Sequence, residues 1–292
     1  MTKQTQLGGT FNFPGTTLTV HRVGYGAMQL AGPHVFGPPR DRPEAIAVLR
    51  EAVASGVNHI DTSDFYGPHV TNQVIKEALH PYPKDLTLVT KVGARRGDDG
   101  SWILDRSREN LVESIHGNLR NLGLEALDIV NLRMGGFSKP EPGSIAEPLK
   151  VLIELKQQGL IRHIGLSTVS PDQFAEAKTL TEIVCIQNFY NLANRGDDAF
   201  IDDLTKQGIA YVPYFPLGGF TPLQSSIMDT VAASLGVTPM QVAQAWLLYR
   251  SPNILLIAAT SKRTHLRENL GVAKIGLAPE VIAQLNNIGS GA

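Results

Sequence analysis

Short apolar runs alternate with stretches of helical spacing along almost the whole chain. The runs fall at 23–28, 57–60, 86–92, 127–132, 163–166, 183–186, 209–213 and 254–257, each of strand length. Between them, apolar residues recur every three or four positions. The stretch 42–55 shows this well: Ala45, Ile46, Leu49, Ala52 and Val53 share one face before Gly56 turns the chain into the next strand. The same spacing predicts helices over 72–79, 108–122, 145–158, 171–180, 197–207, 224–235 and 239–250. Eight short strands separated by helices predict an α/β fold, and a closed (β/α)8 TIM barrel is its simplest form. Ahead of the repeat, 10–13 and 17–20 flank Pro14-Gly15-Thr16 and predict an N-terminal β-hairpin closing the barrel floor. The proline-bearing stretch 32–40 reads as a loop and not a linker, so 1–292 is expected to be a single barrel domain.

Composition narrows the classes. The 26 Lys and Arg against 27 Asp and Glu leave a net charge of -1, with no basic stripe to suit nucleic acid. Cys185 is the one cysteine, so no intramolecular disulfide can form. It sits in the apolar run 183–186 and reads as a buried thiol instead of a nucleophile. No stretch approaches the roughly 18 apolar residues of a membrane span, and the N-terminal MTKQTQLGGTFNF has no apolar core of a signal peptide. A cytoplasmic protein without a membrane partner is expected. The sequence does not fix an oligomeric state, and a monomer is the expectation. None of the eight histidines lies in an H-E-x-x-H or C-x-x-C context, so no catalytic metal is expected. There is no P-loop and no G-x-S-x-G elbow, which argues against nucleotide hydrolysis and serine-hydrolase chemistry.

The candidate chemistry gathers at VNHIDTSDFYG, residues 57–67. An apolar strand ends there in a polar burst that begins with Asp61. An acid at such a boundary needs a cation. Lys91, at the end of the next strand, is the candidate, because consecutive β/α units bring their strand ends to one rim of a barrel. Tyr66, five positions beyond Asp61, reaches the same region. A phenol is a poor acid at neutral pH, but a neighbouring ammonium stabilises the phenolate and makes it a usable proton donor. Taken singly, Asp61 reads as a turn cap, Lys91 as a solvated strand end and Tyr66 as a packing aromatic; the combination favours catalysis. His59 reads as a hydrogen-bonded core residue and His69 as an exposed loop histidine.

A second candidate follows the last strand. Thr260, Ser261, Lys262 and Arg263 open a predicted helix, where free backbone N–H groups, two cations and two hydroxyls make an anion site. The plain alternative is a charged first turn. Cations there oppose the helix dipole, and that argues for a bound anion. The glycines of 23–28 resemble part of a dinucleotide fingerprint, but Gln29 stands where its third glycine belongs.

Asp61, Tyr66 and Lys91, with GYGAMQ, HIGLS and TSKRTHLRENL in the same order along the chain, resemble the aldo-keto reductases. GYGAMQLAGP, FGPPRDR, NHIDTSDFYGPHVTNQ and YFPLGGFTPLQSS look most like the bacterial pyridoxal reductase group within that family. The resemblance implies NADPH as cofactor, with Lys262 and Arg263 on the 2′-phosphate and Glu268-Asn269 on the adenine; Thr260, Ser261 and His265 belong to the same segment. It implies that Gly26, Ala27 and Met28 lie along the cofactor. Ser167, Thr168 and Gln187 would bind the carboxamide, Tyr214 would stack on the nicotinamide, and Phe215, Pro216, Leu217 and Gly218 would follow the pyrophosphate. Three departures stand out. Thr168 replaces the usual asparagine, Ala258-Ala259 replaces proline and glycine, and Arg133 replaces the fourth catalytic residue, a histidine. Arginine there can donate hydrogen bonds to the carbonyl and adds a fixed charge.

The implied function is NADPH-dependent reduction of a small-molecule aldehyde to an alcohol, with Tyr66 as proton donor. Pyridoxal is the expected substrate, held against Phe36, Tyr66 and Phe220. Other readings are a general aldehyde reductase, a cofactor-binding regulatory module without efficient turnover, and a lyase using Lys91 as a Schiff-base amine.

Overall fold

The computed structural model describes residues 6–216 and 225–288. The chain opens with an antiparallel hairpin, β1 (Thr10–Asn12) and β2 (Thr19–His21), in which Phe11 faces Val20. Then β3 (Tyr25–Gly26) leads to α1 (Arg42–Ala54), β4 (His59–Asp61), α2 (Val70–Leu79) and β5 (Thr87–Val92). A second hairpin, β6 (Ala94–Arg96) and β7 (Trp102–Leu104), precedes α3 (Arg108–Leu122) and β8 (Leu127–Arg133). After these come α4 (Ala146–Gln157), β9 (Ile161–Ser167), α5 (Pro171–Leu180), β10 (Ile183–Gln187), α6 (Asp198–Lys206) and β11 (Ala210–Tyr211). The chain continues through α7 (Ser226–Leu235), α8 (Pro239–Arg250), α9 (Arg263–Gly271) and α10 (Pro279–Asn286). Among the described residues, no single helix is long and apolar enough to cross a membrane.

Seven strands form one parallel sheet in the order β3-β4-β5-β8-β9-β10-β11. Residues 254–259 close it. Their parallel bridges join Tyr211 to Ile254 on one side, and Val23 to Leu256 and Gly26 to Ala259 on the other. The eighth predicted strand is thus the closing stave of a (β/α)8 barrel, held by bridges and not by a full ladder. β5 and β10 are buried at every position, the pattern of strands covered on both faces.

The floor matches the expectation from the sequence. Phe13 and Val20 of the first hairpin pack with the barrel-lining Val89, Ile129, Val184, Ala210, Val212, Leu255 and Ile257. The seam between first and last staves explains a glycine. A Cβ on Gly26 would stand 2.2 Å from the Ile257 carbonyl oxygen, so only glycine lets the two staves approach. Helix starts follow from local chemistry: Ser170 and Thr238 each form a capping box, with Gln173 and Gln241, ahead of a proline at the first turn. The hairpin β6–β7 was not anticipated. It projects from the rim just after Lys91 and brings Trp102 over the barrel mouth.

Candidate active site

Because the strands are parallel, their C-terminal ends meet at one rim. Asp61 ends β4, Lys91 is next to last in β5, Arg133 ends β8, Ser167 ends β9 and Gln187 ends β10. The register sets Arg133 beside Ser167 and Ser167 beside Gln187. Tyr214 follows β11 shortly, bridged to Phe189. A cavity of about 470 Å³ opens over this rim. Asp61, Tyr66, Lys91, Arg133 and Gln187 all line it, within walls that include Phe65, Trp102, Leu104 and Phe137.

Lys91 and Asp61 make a buried ion pair. Nζ donates to Asp61 Oδ1 at 2.5 Å and to the Thr62 carbonyl at 2.9 Å, and each side chain is only 4% exposed. Burial pulls the Lys91 ammonium towards its neutral form, but the charge and hydrogen bond of Asp61, together with Tyr66, outweigh it and raise its pKa. Lys91 is therefore charged. Its Nζ lies 5.2 Å from the centre of the Tyr66 ring. Asp61 uses its other oxygen to accept from Gln187 Nε2 at 2.7 Å. That leaves Gln187 Oε1 buried without a partner in a residue that borders the cavity.

A polar network behind the pair holds the 61–64 turn. Thr62 donates to Asn72, which bridges Asp64 and Asn118, and Asn118 in turn accepts from Thr90. Asp64 also accepts from Asn121 and meets His69 Nδ1 at 2.6 Å. His69 is half solvent-exposed, and the Asp64 bond, ahead of the opposing effect of burial, raises its pKa. His59 lies in the core as expected, but its Nδ1 finds no hydrogen-bond partner; burial pushes its pKa down to about 4 and the ring is neutral. Cys185 is buried, its thiol donates to Asn131 Oδ1, and burial raises its pKa far above the ordinary range. It is a core thiol. Among the described residues, no group of three His, Cys, Asp or Glu side chains could hold a metal.

Gly26, Met28, Tyr214, Phe215 and Pro216 line the cavity, along with Ala258 and Ala259. Ala27 does not; it is buried and its N–H donates to the Asp61 carbonyl. Ser167 and Thr168 are not among the lining residues and are fully or nearly buried. Thr168 holds a left-handed φ of 55°, unfavourable for a β-branched residue, and its hydroxyl meets the Tyr214 hydroxyl at 3.0 Å. An asparagine would occupy that backbone conformation more easily. Arg133 donates to the Gly136 carbonyl and faces the Tyr214 ring at 5.7 Å. Leu217, Gly218 and Phe220 lie outside the described residues.

Phe36 is not among the residues that line the cavity; the Arg96 guanidinium lies 5.2 Å from the centre of its ring. Arg96 also lies 4.0 Å from the Trp102 ring and donates to the carbonyls of His34, Val35 and Gly100. It clamps the 32–37 loop to the second hairpin. Trp102 supplies an aromatic wall of the cavity.

The second candidate lies away from the cavity, at the start of α9. Lys262 is its exposed N-cap and makes no side-chain cap. Thr260 Oγ1 accepts from the Lys262 N–H at 3.1 Å. Ser261 is half-buried and His265 exposed. The Glu44 carboxylate, from α1, accepts from the Arg263 backbone N–H at 3.0 Å and from its guanidinium at 3.1 Å. An anion thus already sits on this helix start. The Glu268 carbonyl accepts from Gln241, and Asn269 Oδ1 from Gln244. The Asn269 carbonyl is accordingly committed within the protein.

The profile of the aldo/keto reductase family matches residues 22–290. The chain is 65% identical to pyridoxine 4-dehydrogenase of Escherichia coli over 93% of its own length and 96% of that protein. It is 35% identical to an uncharacterized oxidoreductase of Schizosaccharomyces pombe, over 93% and 88% of the two chains. A thermostable aldo-keto reductase solved with the inhibitor epalrestat superposes with a TM-score of 0.80 at 28% identity, covering 96% of this chain and 99% of that one. An aldo/keto reductase of Klebsiella pneumoniae solved with NADP and acetate gives 0.76 at 23%, covering 96% and 94%. The chain belongs to the aldo/keto reductase family, oxidoreductases that interconvert carbonyl and alcohol groups.

Proposed function

We propose that this chain, working as one barrel domain, uses NADPH to reduce pyridoxal to pyridoxine, with Tyr66 as the proton donor. The observation that carries the reading is the buried Lys91–Asp61 pair under the Tyr66 ring. The charged ammonium favours the phenolate that Tyr66 leaves on giving up its proton to the carbonyl oxygen. Asp61 keeps that ammonium charged in a site that would otherwise neutralise it.

The residues fit a nicotinamide. Gln187 Oε1, buried and unpartnered, is an acceptor for a carboxamide N–H, and Tyr214 offers a ring face beside it. When bound there, the reduced nicotinamide supplies hydride. Gly26 and Met28 on one side and Phe215 and Pro216 on the other would flank it, with Lys262 and Arg263 towards the 2′-phosphate. The aromatic walls exclude water and accept a flat substrate ring. Pyridoxal is such a ring, and the name of the Escherichia coli relative supports the choice of substrate and of the alcohol it yields.

The test compares kcat/KM for pyridoxal and benzaldehyde by loss of NADPH absorbance, with pyridoxine identified as product. Pyridoxal is expected to be clearly preferred. A benzaldehyde value equal to or above that of pyridoxal would reduce the assignment to a general aldehyde reductase.

A further inference from the structure

Arg133 is a charge in an apolar place. It is half-buried at the end of β8 and lines the cavity with Phe65, Trp102 and Leu104. Its contacts are the Gly136 carbonyl and Tyr214, through both the ring and the hydroxyl; it pairs with no carboxylate among the described residues. Asp61 is the one acid among the described lining residues, and Lys91 has taken it. The lining therefore carries one positive charge in excess, and that charge sits on Arg133. A partly desolvated guanidinium with a neutral oxygen as its hydrogen-bond partner retains donors for an anion.

The register says where that anion would lie. Lys91 is the partner of Asn131 across the β5–β8 ladder. Arg133 is two residues further along the same face, about 6.6 Å nearer the mouth at 3.3 Å per residue. The Tyr66 ring lies over Lys91. Tyr66 and Arg133 thus flank the same space from adjoining strands. A group bound by Arg133 on a small ring would then neighbour the carbonyl that Tyr66 protonates. One excess charge also sets the size of the anion. A phosphate monoester, with about −1.5 to −2, would leave charge unbalanced in an apolar cavity, whereas a single phenolate oxygen would not.

We propose that Arg133 pairs with a singly charged oxygen on the ring carbon next to the reacting carbonyl, and so selects ortho-hydroxy aromatic aldehydes over plain and phosphorylated ones. This rests on the reductase reading above. Pyridoxal fits the class, because its 3-hydroxyl neighbours the aldehyde and is ionised at neutral pH. Arg133 is then a specificity residue that touches substrate, and its charge does work that a neutral imidazole at that position would not.

The test uses salicylaldehyde, 4-hydroxybenzaldehyde and benzaldehyde with NADPH at about pH 9, where both phenols are largely ionised, and beside them pyridoxal and pyridoxal phosphate. In the unaltered enzyme, kcat/KM for salicylaldehyde should exceed that of both other benzaldehydes at least tenfold, and pyridoxal should exceed its phosphate. Arg133→Met should bring the salicylaldehyde to benzaldehyde ratio near one, and Arg133→Lys should restore part of it. Binding gives a second reading, independent of turnover and of any folding defect in the variants. Quenching of tryptophan fluorescence in the unaltered protein should show pyridoxine bound at least tenfold tighter than 4-pyridinemethanol, which lacks the ring hydroxyl. Equal ratios in Arg133→Met and the unaltered enzyme, or no ortho preference in either measurement, would overturn the role of Arg133 while leaving the reductase reading intact. Failure to reduce any of the aldehydes with NADPH or NADH would instead overturn the reductase reading, and the binding comparison would still decide whether Arg133 recognises the ring oxygen.

Discussion

The Asp61 carboxylate and the Gln187 amide, 126 residues apart in the chain, meet at 2.7 Å across the barrel mouth. Asp61 is therefore shared: one oxygen neutralises Lys91 and the other orients Gln187, whose Oε1 is left buried without a partner. Loss of the Asp61 charge would disturb both.

Asp61→Asn strands the Lys91 ammonium in a site where it is 4% exposed. Leaving one partner of a buried pair uncompensated costs about 3–5 kcal/mol, whereas replacing both by apolar groups is often close to neutral. Urea unfolding should show a loss of that order for Asp61→Asn. The double variant Asp61→Leu, Lys91→Met should be more stable than Asp61→Asn, although inactive. A double variant less stable than the single one would mean that packing, and not charge, explains the loss.

Tyr66→Phe removes only a hydroxyl. The ring keeps its edge contacts with Phe65 at 5.4 Å and Trp102 at 6.5 Å, so the cavity wall should survive. General acid catalysis is worth about 10²–10⁴ in rate, and kcat should fall by at least about 100-fold. Cofactor binding, followed by fluorescence titration, should change little, because the proton moves only in the transition state. A near-normal kcat would remove Tyr66 from the mechanism.

The barrel was legible because strands covered on both faces read as unbroken apolar runs. Asp61 and Lys91 were legible because the strand ends of a parallel barrel share one rim, whereas Gln187 was singled out only by resemblance to the family. What escaped depended on contacts remote in sequence or on surface turns. Trp102 lies in a short hairpin after Gly97-Asp98-Asp99-Gly100, a turn signal set in a polar stretch without strong alternation. Arg96, 60 positions from Phe36, lies over its ring, a contact that no local pattern announces. Nothing local ties Glu44 to Arg263, 219 positions later. The Asn72–Asn118 bridge behind the active pair is equally invisible to spacing.

His69 should make stability depend on pH. Its pKa is raised from 6.5, first by the bond to Asp64, and Glu113 raises it further while burial and Arg120 oppose. A folded pKa above the unfolded one means that the contribution is fully present below 6.5 and is lost as pH rises through the raised folded value. Since the ring is 57% exposed, solvent screening limits the effect to about 0.5 kcal/mol. His69→Asn should remove that part of the decline in unfolding free energy above neutrality. Identical pH profiles for the two proteins would show that the contact contributes nothing to stability.

Cofactor preference should depend on a competition at the start of α9. Glu44 already accepts from the Arg263 backbone N–H and guanidinium, while Lys262 is exposed beside them. A 2′-phosphate bound there must take Arg263 from Glu44, so the acid weakens NADPH binding through the one group that NADH lacks. Glu44→Gln should therefore tighten NADPH more than NADH. Lys262→Ala with Arg263→Ala should do the reverse. A hydrogen bond to a charged group contributes about 1.5–3 kcal/mol, so losing even one predicts a drop of about tenfold in the ratio of the two affinities. Fluorescence titration of each cofactor measures that ratio without turnover. If both cofactors weaken equally in the double variant, the 2′-phosphate is held elsewhere, and the Glu44–Arg263 pair serves only to fasten α1 to α9.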